Sequence, residues 1–472
     1  MNLSLLPFWK KNSSVNVLIC GGGQVGFNIA RYLSTHDNDV TVIDQSEEVI
    51  SHLSTALDVR GIVGCASHPD VLANANLKDA EMIVAVTMTD EINMLACQMA
   101  HSLFSVPIKI ARIRHKSYLN PEWTGLYTPE QIPIDLIISP ELEVARNIGK
   151  GLDMPGAFEL ISFSDETIQL VGIRCKHKAP ILNTPLRLLD GVFPTLNISV
   201  IFIIRGNTSF IPTKTDQLKE DDEVYFLIPT PQLMQGLEIF GYSEKKSQRL
   251  LILGGGNVGL SLAEEVEANH PHIALTLVEH NRERAIYVAN QLSRTLVLRG
   301  DALDTEILKE ANAQIADKVV GVTSDDKVNI LASLMAKRLG TTQAMALIND
   351  SSYSSLIPSL DIDSIISPKA LTVSSILQYV RRGRIRTVHS LRDNVGEVIE
   401  AEAVGTSGVL GMTVGEINAQ KNLIVGAVIR EDHLLMPRDD LVIRVHDRVI
   451  LMVTAASVKH FEKLFSVRLG YF

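Results

Sequence analysis

The sequence predicts an α/β protein made of two tandem copies of one unit, each a parallel-sheet domain followed by a smaller α+β domain. Three observations lead there. A glycine-rich turn between an apolar strand and an amphipathic helix occurs twice, other segments recur at nearly the same offset, and short apolar runs alternate with helical patterns within each copy.

The repeat is long. Val17-Leu18-Ile19-Cys20-Gly21-Gly22-Gly23-Gln24-Val25-Gly26 returns 233 residues later as Leu250-Leu251-Ile252-Leu253-Gly254-Gly255-Gly256-Asn257-Val258-Gly259. Asp135-Leu136-Ile137-Ile138-Ser139-Pro140 returns 228 residues later as Asp363-Ser364-Ile365-Ile366-Ser367-Pro368, and Pro212 and Asp222 return 225 residues later as Pro437 and Asp447. So small a drift across half a chain is a duplication with short insertions or deletions, and its period is far too long for a solenoid.

In the first copy, strands are expected at Val17 to Cys20, Val40 to Ile43, Gly61 to Val63, Met82 to Val86 and Ile108 to Ile113, with helices such as Asp90 to Leu103 between them. That alternation implies βαβ crossovers and a buried, mainly parallel sheet. After the Ile-Ser-Pro corner comes one helical crossing segment. Residues 158–228 and 395–453 then show alternating strands that close on an Asp-x-Val pattern. The resulting limits are an extension at 1–14, parallel-sheet domains at 15–138 and 247–366, and smaller domains at 156–241 and 386–467.

Composition narrows the class. A net charge of −10 opposes sequence-independent nucleic-acid binding, which needs a basic excess. Cys20, Cys65, Cys97 and Cys175 stand singly without CxxC spacing, and three of them lie in apolar segments, so they read as reduced thiols of a cytoplasmic protein. Apolar runs such as Ile198 to Ile204 have strand length, well short of a membrane span. The amino-terminal Leu3 to Trp9 is followed, not preceded, by Lys10 and Lys11, unlike a secretory signal.

The glycine loops carry the chemistry. Each GxGxxG follows a strand and opens a helix, the setting in which a pyrophosphate meets backbone N–H groups at a helix amino terminus. One such match is weak, and two in context are specific. The candidate phosphate-side residues are Gly21, Gly22, Gly23, Gln24, Val25 and Gly26 in the first copy and Gly254, Gly255, Gly256, Asn257, Val258 and Gly259 in the second. An acid closes the next strand in both: Asp44, 18 residues after Gly26, and Glu279, 20 residues after Gly259. That spacing suits a carboxylate accepting from ribose hydroxyls, and its charge favours NAD-like or ATP-like ligands over a 2′-phosphate. The segments after the fourth strand, Val86-Thr87-Met88-Thr89-Asp90-Glu91-Ile92-Asn93 and Val322-Thr323-Ser324-Asp325-Asp326-Lys327-Val328-Asn329, read both as ligand contacts and as helix caps. Arg112, Arg114 and Lys116 align with Leu347, Asn349 and Ser351, so cations for a third phosphate are expected in the first copy only.

Duplicated glycine loops, the Val-Thr-x-x-Asp-Glu-x-Asn segment, the Ala111-Arg112-Ile113-Arg114 strand and the Ile-Ser-Pro corner together resemble the bacterial TrkA proteins over residues 15–470. The resemblance implies two regulator-of-potassium-conductance (RCK) modules, each a Rossmann-like nucleotide-binding domain with an α+β carboxyl-terminal domain. It implies a ring-forming, tetrameric peripheral subunit on the inner face of the plasma membrane that binds NAD(H) and ATP or ADP. Its partner would be a membrane-embedded potassium-translocating subunit of the TrkH or TrkG type. By the same resemblance, Asp44 and Glu279 are ribose carboxylates, Thr87 and Met88 with their counterparts Thr323 and Ser324 are fourth-strand contacts, and Arg112 faces phosphate. Asp301, in Gly300-Asp301-Ala302, keeps a family acid that the first copy replaces by Cys65 in Gly64-Cys65-Ala66. The extension before Val15 departs from the family pattern.

The rival reading is an NAD-dependent oxidoreductase, which needs a proton-transfer residue beside the nicotinamide. His177, His389, His433 and His446 are scattered through polar or turn-like stretches and read as surface residues, and no HExxH or CxxC metal spacing occurs. Arg381-Arg382-Gly383-Arg384-Ile385-Arg386 reads as a solvated or subunit-contacting run.

Overall fold

The computed structural model describes residues 15–35, 38–206, 208–242, 248–353, 360–369, 371–372, 375–376, 385–391, 395–420, 422–431, 433–454, 457, 461 and 464–465. The extension 1–14 and most of the arginine run lie outside them. Two compact units divide at residue 140.

The first unit is a six-stranded sheet. Its elements are β1 (Asn16–Cys20), α1 (Gln24–Thr35), β2 (Asp39–Asp44), α2 (Glu47–Ala56), β3 (Arg60–Val63), α3 (Pro69–Asn74), β4 (Met82–Ala85), α4 (Asp90–Ser102), β5 (Ile108–Arg112) and β6 (Leu136–Ile138). The order is β3-β2-β1-β4-β5-β6 and every pairing is parallel. Central strands buried on both faces need continuous apolar runs, and Met82 to Ala85 are wholly buried. Strand β6 was not expected from the sequence, since three residues carry no periodicity; register with Ile110 to Arg112 defines it.

The second unit opens with α5 (Pro140–Leu152, described here from Glu141). Its apolar stripe of Val144, Ala145, Ile148 and Leu152 buries against Leu250 and Ile252 of the unit's parallel sheet and against Leu260 and Ala263 of the helix that follows. An antiparallel sheet follows, β10-β9-β11-β8-β7, made from β7 (Ala157–Phe163), β8 (Ile168–Arg174), β9 (Ser199–Arg205), β10 (Thr208–Phe210) and β11 (Glu223–Pro229), with α6 (Leu189–Val192) and α7 (Leu233–Ile239).

The parallel sheet repeats the first unit's order as β14-β13-β12-β15-β16-β17. Its elements are β12 (Arg249–Leu253), α8 (Asn257–Asn269), β13 (Ala274–Glu279), α9 (Arg282–Gln291), β14 (Leu296–Arg299), α10 (Thr305–Glu310), β15 (Lys318–Gly321), α11 (Asp326–Leu339), β16 (Gln343–Leu347) and β17 (Ser364–Ile366). A last antiparallel sheet, β18-β19-β22-β20-β21, comprises β18 (Ile385–Ser390), β19 (Gly396–Glu402), β20 (Leu423–Arg430), β21 (His433–Leu435) and β22 (Arg448–Thr454).

The two antiparallel sheets share one core, in which Phe202, Tyr225 and Leu227 meet Val398, Ile450 and Met452. Contact is close enough to require glycine: a Cβ on Gly426 would lie 2.4 Å from Leu227 Cδ1. The Asp-x-Val ending is structural. Buried Asp222 and Asp447 each accept two bonds of 2.7–2.8 Å from one guanidinium, Arg205 and Arg430 respectively. His389 corrects the surface reading: it is buried on β18, its Nε2 2.6 Å from Glu159 Oε1. Both faces of β18 are covered there, Val388 as well as His389 being buried, whereas His177, His433 and His446 are exposed. Among the described residues no helix is long and apolar enough to cross a membrane.

Candidate functional site

Both parallel sheets present a crevice where strand order reverses, between β1 and β4 and between β12 and β15, at the strand carboxyl ends. The glycine loops lie there. Gly21 and Gly254 adopt φ of +105° and +114°, and a Cβ on either would lie 2.9 Å from the backbone of the fourth-strand segment, at Thr87 N or Thr323 N. Gly26 and Gly259 let the helix pass the loop, since a Cβ would lie 1.8 or 1.9 Å from the carbonyl oxygen of Gly21 or Gly254.

Gly23 and Gly256 are different. A Cβ there meets nothing within 4 Å, and neither has positive φ. Fold and packing therefore give no reason for glycine at these two positions. Gly23 O and Gly256 O accept the first helical bonds, from Phe27 N at 2.8 Å and Leu260 N at 3.0 Å. The next N–H groups, from Gln24 and Val25 or Asn257 and Val258, belong to the helix turn without an intrahelical acceptor. Open space over such donors is a cradle for phosphate. The chain's residues fit a nucleotide pyrophosphate at both loops.

The acids that follow have a second task. Asp44 Oδ2 accepts from Gly22 N at 2.7 Å and Oδ1 from Ser46 N at 2.9 Å. Glu279 Oε2 accepts from Gly255 N and Oε1 from Asn281 N, both at 2.7 Å. Each carboxylate thus holds its glycine loop in place and retains lone pairs that accept further hydrogen bonds.

The fourth-strand segments contain a staple that sequence reasoning missed. Asn93 Oδ1 accepts from Thr87 N at 2.8 Å and from Thr87 Oγ1 at 2.7 Å, while its Nδ2 donates to Arg112 O at 2.9 Å. Asn329 makes the same set with Thr323 and Leu347 O. Both amides are fully buried and tie the fourth strand to the fifth. Asp90 Oδ2 then fixes Arg114 N and His115 N, and Asp326 Oδ2 fixes Asn349 N and Asp350 N. The threonine hydroxyls are engaged by asparagine and cap no helix; Asp325 caps α11, accepting from Lys327 N and Val328 N. Met88 is 77% exposed beside the loop, and Ser324 is exposed at the matching place.

Arg112 is half-buried at the carboxyl end of β5, across the loop from Asp44. Asp301 is exposed and accepts from Leu303 N at 2.9 Å; its counterpart Cys65 lies 3.0 Å from Ser67 Oγ, a contact that lowers its thiol pKa. The second copy also carries a cation beside its glycine loop, Arg284 on α9, which lies against Gly255 and not on strand five. Its Nε donates to Gly255 O at 2.7 Å, and its guanidinium lies 4.9 Å from the Tyr287 ring centre. Val49 occupies the equivalent place in the first unit, within 2.7 Å of a Cβ built on Gly22. A comparison confined to strand five cannot reveal it.

Comparison with known proteins identifies the family. The TrkA-N domain family matches residues 17–140 and 250–368, and the TrkA-C domain family matches 398–466. The chain is 44% identical to the Trk system potassium uptake protein TrkA of Azorhizobium caulinodans over 97% of its own length and all of that protein's. It is 38% identical to the protein of the same name from Halomonas elongata, over 97% of this chain and 100% of that one. The solved structure of the GsuK channel bound to NAD shares the fold, with a TM-score of 0.60 and 17% identity over 97% of this chain and 80% of the channel's. The chain belongs to the TrkA family of Trk system potassium uptake proteins.

Proposed function

We propose that the chain is the cytoplasmic, peripheral regulatory subunit of a Trk-type potassium uptake system, a nucleotide sensor and not an enzyme. Two nucleotide sites, one per glycine loop, take NAD(H) and ATP or ADP. A homotetrameric ring of such chains gates a membrane-embedded potassium-translocating partner of the TrkH or TrkG type. The working domain limits are 15–138, 156–241, 247–366 and 386–467. One observation carries the nucleotide reading: Gly23 and Gly256, alone among the glycines of their loops, have no structural need to be glycine. Family membership supports the potassium reading, and the NAD of the GsuK structure is a precedent on the same fold.

What the acids do also supports the sensor reading. Asp44, Glu279, Asp90 and Asp326 each accept backbone N–H bonds, the work of positioning groups and not of proton carriers. The test is thermal unfolding of the purified chain with NAD, NADH, ATP and ADP, because a ligand of the native state raises its apparent stability. At least one dinucleotide and one mononucleotide are expected to raise Tm without being consumed. A chain whose Tm none of them moves, or one that turns NADH over, has another function.

A further inference from the structure

We propose that Asp153, His270 and His272 form a site for a divalent transition-metal ion of the zinc class. No sequence spacing announces it, because 117 residues separate Asp153 from His270. The fold of the second unit brings them together. Asp153 follows the last turn of α5, His270 ends α8, and His272 lies two residues on, beyond Pro271. One ligand atom from each lies within 4.8 Å of the other two. His270 Nδ1 is 3.2 Å from Asp153 Oδ2, and His272 Nε2 is 3.2 Å from Asp153 Oδ1. A tetrahedral ion with bonds of about 2.0–2.1 Å sets its ligand atoms roughly 3.3 Å apart.

An ion pair without metal accounts for the distances to Asp153, and the metal reading rests on the state of His270 Nδ1 within that pair. That nitrogen is shielded from solvent and makes no hydrogen bond among the described residues, its approach to Asp153 not being aligned as one. A solvent-shielded nitrogen beside a carboxylate, with a second imidazole offering a ligand atom within 4.8 Å, is placed to ligate an ion. Two imidazoles and one carboxylate select zinc, cobalt or nickel over calcium or magnesium, which prefer oxygen.

The scaffold is rigid. The Arg294 guanidinium donates to the carbonyls of Val266, His270, Pro271 and Ile273 at 2.8–3.2 Å, which locks the loop that carries both histidines. Lys318 Nζ donates to Gly151 O at 2.7 Å and anchors the end of α5 beside Asp153. A bound ion would pin the end of α5 to the loop after α8.

The experiment uses the full chain, tag removed and stripped with EDTA, titrated with Co2+ and then Zn2+. One Co2+ per chain with the absorption bands of a low-symmetry site, displaced by Zn2+, is expected. His272→Gln, chosen because that ring is exposed, and Asp153→Asn should each weaken Co2+ binding at least tenfold, with the metal-free Tm unchanged. Cys65→Ser should bind as the parent does. Absence of stoichiometric binding, binding that survives both variants, or binding lost in Cys65→Ser overturns the proposal.

Discussion

Gly23→Ala separates a glycine kept for a ligand from one kept for the fold. The new methyl meets no atom within 4 Å and needs no change of backbone region, so the fold should tolerate it. Removing glycine's freedom in the unfolded chain even favours the native state, by about 0.4–1 kcal/mol where the conformation is compatible. Ligand binding should suffer instead. A methyl in the cradle displaces phosphate from N–H donors whose charge-assisted bonds are worth roughly 1.5–3 kcal/mol each. Losing one of them weakens binding at the first site by about tenfold to a hundredfold, and losing two by up to about ten-thousandfold. Gly26→Ala is the control: its methyl would sit 1.8 Å from Gly21 O, so stability itself should collapse. The assay pairs urea unfolding without ligand against isothermal titration with NADH and ATP, the first site isolated by Gly256→Val. The phosphate assignment is refuted if Gly23→Ala binds both nucleotides as the parent does. It is refuted equally if the variant loses more than about 2 kcal/mol of stability with no ligand present.

Asn329→Ala should cost roughly 2–4 kcal/mol in urea unfolding, because Thr323 N and Leu347 O lose a fully buried partner, and Asn93→Ala should cost about the same; a loss below about 0.5 kcal/mol removes the staple. Burial raises the Glu143 carboxyl to about 7, against a hydrogen bond from Ser375 and the nearby Arg146, which lower it. The folded state then holds the proton more tightly than the unfolded, so stability present below about pH 4.5 is lost as pH rises to about 7. Glu143→Gln should match the parent at pH 4 and exceed it by up to about 3 kcal/mol at pH 8; equal curves at both pH values refute it. With the second site closed by Gly256→Val, Arg112→Ala should weaken ATP at least tenfold and ADP much less, and an equal loss for both means Arg112 does not read the third phosphate.

The parallel sheets were legible because strands buried on both faces and amphipathic crossover helices leave unmistakable patterns, and duplication printed them twice. Three-residue β6 and β17 leave none. Asn93 and Asn329 were visible six residues after Thr87 and Thr323 in both copies. Asparagine at the start of a helix suggests capping, however, and only depth of burial reveals a staple between strands. Arg284 escaped because its counterpart is Val49, a position whose chemistry changes between copies. Among the histidines, His389 looked exposed and is buried, and the proposed role of His270 and His272 rests on their approach to Asp153, just past α5 and 117 residues earlier, which no sequence spacing shows.

Conserved and altered parts of the two crevices divide the labour of the proposed sensor. Glycine loop, carboxylate and asparagine staple are the same twice, so both crevices offer the same grip on a pyrophosphate and a ribose. The flanks differ by the position of charge and not by its presence. Site one carries Arg112 on the β5 side of its loop and apolar Val49 on the other; site two carries Leu347 on the strand-five side and Arg284 against Gly255. Arg284 is already oriented by Gly255 O and Asn257 Oδ1, so it meets a ligand with little loss of side-chain freedom on the side of Glu279. A ligand shifts a conformational equilibrium only through differential affinity. On the proposed function, two grips of equal design with cations on opposite sides would give one chain two nucleotide preferences, and hence two separate inputs to the same gate.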